Sequence, residues 1–423
     1  MIDHPRNGAG DPDAPMPSSD APPPDADEAE AAADGPLGIV LGGGGARAAY
    51  QVGVLRFLAR RFPDLRFQVI SGVSAGAINA AHLASHHGSF GQSVNELVGL
   101  WEHLRIQDVF RTDTWSLVRN LVNWGVQLVS GGMGGKPRVK GLVDTRPLHR
   151  YLTEVLHCID GELTGIGYNL DQGRLRAVGL STSSYTTGRS VTWLQAVDEV
   201  EEWERPRRVA RRTTLTVDHV MASSALPLFF PAIKLEDGWY GDGGLRLANP
   251  VAPAIHMGAG RVLVLSTRYA QGDEDARAVV RGYPPPAQVL GQLVNSIFLD
   301  NLDQDAYRVE LINRLVRRLP SAEREGLRPV ELLTIRPSRD LGRLATGYEP
   351  QLPRVFRWLT RGLGTRETES PDALSMILFE HEYIRLLLEI GESDAEAREE
   401  ELVGFLRGES SARGWETARA GAG

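Results

Sequence analysis

The sequence predicts an α/β fold: a three-layer α/β/α domain with a mostly parallel central sheet, followed by a helical C-terminal extension. Two observations carry that prediction. An apolar run, a glycine-containing turn and a helix-compatible stretch follow one another twice between residues 37 and 84, the arrangement from which parallel sheets covered by helices are built. Beyond about residue 284 the pattern becomes mostly amphipathic helix.

Taken in chain order, Leu37-Gly38-Ile39-Val40-Leu41 is an apolar run suited to a buried strand. Gly42 to Gly45 follow, and Tyr50, Val54, Leu55 and Leu58 then recur at helical spacing. Residues 67–70 read as a second strand, leading through Gly72-Val73-Ser74-Ala75-Gly76 into a small-residue helix that reaches Ala84. Further strands are expected at 175–182, 191–194, 261–267 and 330–335. A helix from about Asp218 should stop before Pro227, because the residue preceding proline is driven out of helical geometry. The sequence shows no repeat of fixed period.

The first 35 residues stand apart. They hold nine acids (Asp3, Asp11, Asp13, Asp20, Asp25, Asp27, Glu28, Glu30, Asp34) against Arg6 alone, with almost no large apolar side chain. Burial cannot offset the entropy of ordering such a segment, so a solvated acidic tail is expected over 1–35. The α/β domain is then expected over 36–270 and the extension over 271–423. The tail lacks the basic start and apolar stretch of a signal peptide. No run approaches 18 apolar residues, so a cytoplasmic protein without a transmembrane helix is expected.

Charge and cysteine content narrow the function classes. The tail accounts for the whole formal charge of −8, leaving 45 acids and 45 bases in the remainder. A neutral folded part gives no electrostatic case for nucleic acid. Cys158 is the sole cysteine, which excludes an intramolecular disulfide and a cysteine-based zinc site. No set of histidines and carboxylates has metal-ligand spacing, and no metal or cofactor is expected.

Three short motifs could carry chemistry. In Gly72-Val73-Ser74-Ala75-Gly76, glycines two residues either side of a serine remove the Cβ atoms that would clash at a sharp strand-to-helix turn. Such a turn leaves the serine at a helix N-terminus, where free N–H groups and the helix dipole favour developing negative charge. The plain alternative is a turn of small residues. Gly42 to Gly45 present bare amides that could form an oxyanion hole. Gly43, Gly45 and Ala48 also fit a dinucleotide fingerprint, although the next strand ends without the carboxylate that would hold a ribose. Asp242, in Gly241-Asp242-Gly243-Gly244, reads either as a hairpin cap or as a general base. An ordinary aspartate, with a pKa near about 3.9, is a poor base for a serine, so the second reading requires a dry site.

Taken together and in this order, the motifs resemble the patatin-like phospholipase family. The resemblance rests on Gly43-Gly44-Gly45-Ala46-Arg47-Ala48, Gly72-Val73-Ser74-Ala75-Gly76 and Asp242-Gly243-Gly244. The block Ala222-Ser223-Ser224-Ala225-Leu226-Pro227-Leu228-Phe229-Phe230-Pro231 and Asn249-Pro250 add to it, over about 37–267. It implies a lipid acyl hydrolase with Ser74 as nucleophile and Asp242 as proton acceptor, without histidine. It further implies Gly43, Gly44 and Gly45 as the oxyanion hole, with Arg47, Gly72, Gly76, Gly243 and Gly244 as supporting motif residues. Ala48 departs from the family pattern, which has glycine after the arginine.

Alternative readings remain. An α/β-hydrolase with a Ser-His-Asp triad would draw on His256 or His381 as its base. Against it, the glycine loop has no neighbouring histidine, and the serine turn follows only the second strand. His82, His86 and His87 read as surface or helix-end residues. A dinucleotide-binding or non-catalytic lipid-binding protein is the further alternative. Trp115, Val118, Leu121, Val122, Trp124, Val126, Leu128 and Val129 form an apolar helical pattern followed by Lys136, Arg138 and Lys140. Peripheral contact of 115–140 with a phospholipid surface fits that pattern, and so does core packing.

Overall fold

The computed structural model describes residues 35–111, 141–236, 238–247, 249–269, 301–352, 357 and 372–409. The acidic tail up to residue 34 and the apolar segment with its cations at 115–140 lie outside the described residues.

One mixed sheet organises the chain. Its strands are β1 (Leu37–Leu41), β2 (Val69–Val73), β3 (Ala177–Ser184), β4 (Ser190–Ala196), β5 (Glu204–Arg205), β6 (Arg208–Arg212), β7 (Ile233–Leu235), β8 (Gly238–Asp242), β9 (Arg261–Leu265) and β10 (Glu331–Ile335). They lie in the order β10-β9-β1-β2-β3-β4-β6-β5, with β8 paired to both β3 and β7. From β10 to β3 every pairing is parallel. The antiparallel β3–β4 pair begins the mixed half.

Both faces of the parallel half are covered, which is why its strands read as unbroken apolar runs. Ile39, Leu41, Leu263 and Leu265 enter one core, and the alternate residues Val40, Val262 and Val264 enter a second. Helices α1 (Ala49–Arg61), α2 (Ala75–Ser85) and α3 (Phe90–His103) contribute to the first core. Helices α4 (Ala252–His256) and α5 (Asn301–Val316) contribute to the second. This is the three-layer arrangement expected from the two strand–turn–helix repeats.

The described chain beyond residue 300 shares this architecture. β10 continues the parallel sheet beside β9. Helix α6 (Asp372–Ile377) is followed by α7 (His381–Ala397), whose Tyr383, Ile384, Leu387 and Leu388 are buried in the first core. Close packing of α7 on α1 uses two glycines. A Cβ at Gly53 would strike the Leu388 carbonyl, and one at Gly391 would strike the Tyr50 carbonyl. No helix among the described residues is long and apolar enough to cross a membrane.

Boundaries differ where tertiary pairing decides them. The second strand runs over Val69–Val73 rather than 67–70, because Val69 pairs with Gly38 and Ala177 and Val73 reaches Ser181. Strands β5 to β8 are short, and all but one pairing among them is antiparallel. They carry too few apolar residues to announce themselves in sequence.

Candidate active site

Register along β3 brings the serine and the aspartate together. Val73, the last residue of β2, lies opposite Ser181. On the same edge of β3, one residue further on, Asp242 lies opposite Thr182 at the end of β8. Two segments separated by more than 160 residues therefore end side by side at the carboxyl edge of the parallel strands. In open α/β sheets this is the edge where ligands bind.

Ser74 is the turn residue between β2 and α2. Its φ of 57° and ψ of −133° place an L-residue in a sparsely populated conformation. Two serines hold the turn. The Ser74 N–H donates to Ser223 Oγ at 3.0 Å, and Ser223 Oγ donates to the Ser181 carbonyl at 2.7 Å. Ser224 Oγ donates to the Ser74 carbonyl at 3.0 Å. The flanking glycines provide space: a Cβ at Gly72 would lie 2.6 Å from the Ala80 Cβ, and one at Gly76 would strike the Leu41 and Gly42 carbonyls.

The Ser74 hydroxyl donates to Asp242 Oδ2 at 2.6 Å. Asp242 Oδ1 accepts the Gly244 N–H at 2.8 Å, so both carboxylate oxygens are engaged. A Cβ at Gly243 would collide with the Ser181 carbonyl, which accounts for the first glycine after the aspartate. Ser74 is 5% exposed and Asp242 is fully buried. Burial raises the Asp242 carboxyl from the ordinary carboxylate range to about 7, against the lowering effect of its bonds from Ser74 and Gly244. Desolvation thus supplies the basicity that an ordinary aspartate lacks.

The glycine loop lies against this pair. A Cβ at Gly43 would sit 3.0 Å from the Ser74 Cβ and 3.6 Å from its Oγ. Thr267 Oγ1 donates to the Gly43 carbonyl at 2.5 Å and fixes the loop to the end of β9. Arg47 is buried in the turn after the loop, with its Nε donating to Ser375 Oγ at 2.6 Å. Ala48, the departure from the family pattern, has φ −64° and ψ −14°, a helical conformation that alanine adopts freely. Beneath the loop, Gln51 Nε2 donates to the Gly42 carbonyl at 2.8 Å, and Asn79 Nδ2 donates to Gln51 Oε1 at 3.0 Å. Trp101 Nε1 completes the chain by donating to Asn79 Oδ1 at 2.8 Å.

A narrow cavity of about 50 Å³ opens on Ser74 and Asp242. Its walls are otherwise largely apolar and include Ile78, Trp101, Leu148, Phe230, Met376 and Phe379. A larger hollow of about 390 Å³, lined by Arg66, His86, His87 and Arg174 among others, contains neither residue of the pair. The histidines considered as triad bases are placed elsewhere. His256 stacks on Trp203 with ring centroids 4.9 Å apart, and His381 Nδ1 lies 2.9 Å from the Glu102 carbonyl oxygen. His82 is buried against the Ser93 carbonyl, His86 lies 3.2 Å from Glu96, and His87 meets Tyr168 edge to face. Among the described residues, neither Ser74 nor Asp242 has a histidine partner.

The patatin-like phospholipase family model matches residues 39–255, just over half of the chain, from within β1 to within α4. The chain belongs to the patatin-like phospholipase family. No curated protein matches the sequence. Among solved structures, similarity is found to human GIVD cytosolic phospholipase A2 in complex with methyl γ-linolenyl fluorophosphonate. Identity there is 16% and the TM-score 0.42, over 89% of this chain and 59% of that one. VipD from Legionella pneumophila is similar at 14% identity and TM-score 0.33, over 84% of this chain and 66% of that one. The chain thus spans less than two thirds of the length of either.

In this patatin-like chain, the residues that sequence reasoning missed are mainly those that hold others in place. Ser223 and Ser224 are legible only as part of a block, and their hydrogen bonds to the Ser74 backbone depend on the helix Val217–Ser223, which lies beside β3. Gln51 and Asn79 carried a clearer signal, since each is an amide side chain within a helix of otherwise mostly apolar residues.

Proposed function

We propose that the protein is a lipid acyl hydrolase, a serine carboxylic-ester hydrolase that works through Ser74 and Asp242. The observation that carries this reading is the 2.6 Å hydrogen bond from the Ser74 hydroxyl to a carboxylate that burial has made basic. Ser74 Oγ attacks the ester carbonyl carbon while its proton passes to Asp242 Oδ2. Amides of Gly43, Gly44 and Gly45 stabilise the oxyanion. Collapse of the tetrahedral intermediate breaks the ester bond, and the departing alcohol takes the proton from Asp242. Water then attacks the acyl-enzyme with Asp242 again accepting a proton, which returns to Ser74 as the fatty acid leaves.

The apolar cavity beside Ser74 supports an acyl chain as the group bound there. Family membership supports a phospholipid or another acyl-ester lipid as the substrate class. Peripheral contact with a lipid surface through 115–140 and a cytoplasmic location belong to the same reading. They are supported by the apolar and basic pattern of that segment and by the lone cysteine.

A fluorophosphonate probe tests the assignment. It should label Ser74 covalently, and Ser74→Ala should lose both labelling and ester turnover. Equal labelling of the variant would overturn the assignment of the nucleophile.

A further inference from the structure

Part of the cavity wall comes from chain that the family match does not include. The match ends at residue 255, yet Met376, Ile377 and Phe379 line the cavity with Ser74 and Asp242. We propose that residues 374–379 form the end wall of the acyl pocket and set the acyl-chain length that the enzyme accepts. This rests on the hydrolase reading above and goes beyond it by naming what limits the substrate.

The segment is built in rather than laid across the surface. Leu374 and Leu378 are buried in the first core, and Ser375 Oγ accepts the buried Arg47 Nε at 2.6 Å. The Met376 carbonyl occupies the space that a Cβ at Gly45 would need, so segment and glycine loop touch backbone to backbone. Met376 and Phe379 are themselves buried. They line the same small volume as Ile78, Trp101, Leu148 and Phe230. The cavity, of about 50 Å³, is small, so a short acyl chain fits it without displacing the wall. A longer chain must displace Met376, Ile377 or Phe379, which are anchored on both sides.

Turnover of p-nitrophenyl esters from two to sixteen carbons by the full-length protein tests this. The parent should show its highest kcat/KM among the short esters, falling at least about tenfold by sixteen carbons, since one methylene in a fitted pocket is worth about tenfold or more. Met376→Ala and Phe379→Leu should each raise the eight-to-four-carbon ratio of kcat/KM by about tenfold. Ile377→Trp, at a half-buried position, should lower the four-to-two-carbon ratio and covers the case in which an enlarging variant fails to fold. A parent that prefers sixteen carbons, or ratios unmoved in the folded variants, would overturn the proposal while leaving the hydrolase intact. Absence of probe labelling at Ser74 together with absence of turnover at every chain length would overturn the hydrolase reading itself, and this proposal with it.

Discussion

The two strand–turn–helix units at the start of the domain use the same backbone device for opposite purposes. Each begins with five buried strand residues and turns through a residue at φ 57°, Gly45 in the first and Ser74 in the second. At Gly45 the missing Cβ leaves a space, and the Met376 carbonyl fills it. At Ser74 the side chain is retained, and the turn aims its hydroxyl at Asp242. A non-glycine residue in such a conformation costs about 1–3 kcal/mol, which the surrounding structure must offset. Ser223 and Ser224, bonded to the Ser74 N–H and carbonyl, supply part of that support. One turn yields room to a neighbour, and the other holds a side chain under strain.

The largest effect should come from the partner of the strained turn. Asp242→Asn keeps the shape and the acceptor for the Gly244 N–H but removes the proposed base. Turnover should fall by about 10²–10⁴, the usual contribution of a general base. The same change should stabilise the protein. A carboxyl whose folded pKa is raised to about 7 binds its proton more tightly than in the unfolded chain. The folded state therefore loses stability as pH rises from about 4 to about 7, and the asparagine variant escapes that loss. The excess melting temperature of Asp242→Asn over the parent should grow between pH 5 and pH 8. In the parent, kcat/KM should rise with pH through about 7 as Asp242 ionises. A parent rate that is flat between pH 5 and 8 would remove Asp242 from the role of base.

The contrast between the two turns also marks how far sequence could be read. Local pattern located β1, both turns and the helices after them, because apolar runs and glycine spacing are local properties. Asp242 was visible through its glycines, but its approach to Ser74 depends on β8 pairing with β3 just beyond the end of β2. Pairing over that distance leaves no local trace. The basicity of Asp242 was equally invisible, since it follows from complete burial. The wall at 374–379 was unreadable for a third reason. Ser375 and Met376 are unremarkable in sequence, and their importance lies in the space left by Gly45 more than 300 residues earlier.

Filling the space at the first turn should produce the next largest effect. In Gly45→Ala the new Cβ collides with the Met376 carbonyl, and φ 57° is unfavourable for alanine by about 1–2 kcal/mol. The loop must shift, and the proposed oxyanion-hole amides should lose their aim. Loss of one such donor costs about 10²–10³ in rate, so turnover and probe labelling of Ser74 should fall together by that factor. The melting temperature should fall as well. Full activity in a folded Gly45→Ala protein would show that the loop does not depend on the space beside it.

The smallest effect is the most direct test of strain at the second turn. Ser74→Ala and Ser74→Gly both remove the hydroxyl and its bond to Asp242, so they differ only in whether a Cβ remains at φ 57°. Glycine relieves a strain of about 1–3 kcal/mol. Its greater freedom in the unfolded chain takes back about 0.5–1 kcal/mol. A net gain of about 1 kcal/mol should place Ser74→Gly about 1 °C above Ser74→Ala in melting temperature. Neither variant should turn over ester, so the comparison isolates the backbone. Equal melting temperatures, or alanine above glycine, would mean that the turn holds Ser74 without strain. The two units would then differ only in which side chain they carry.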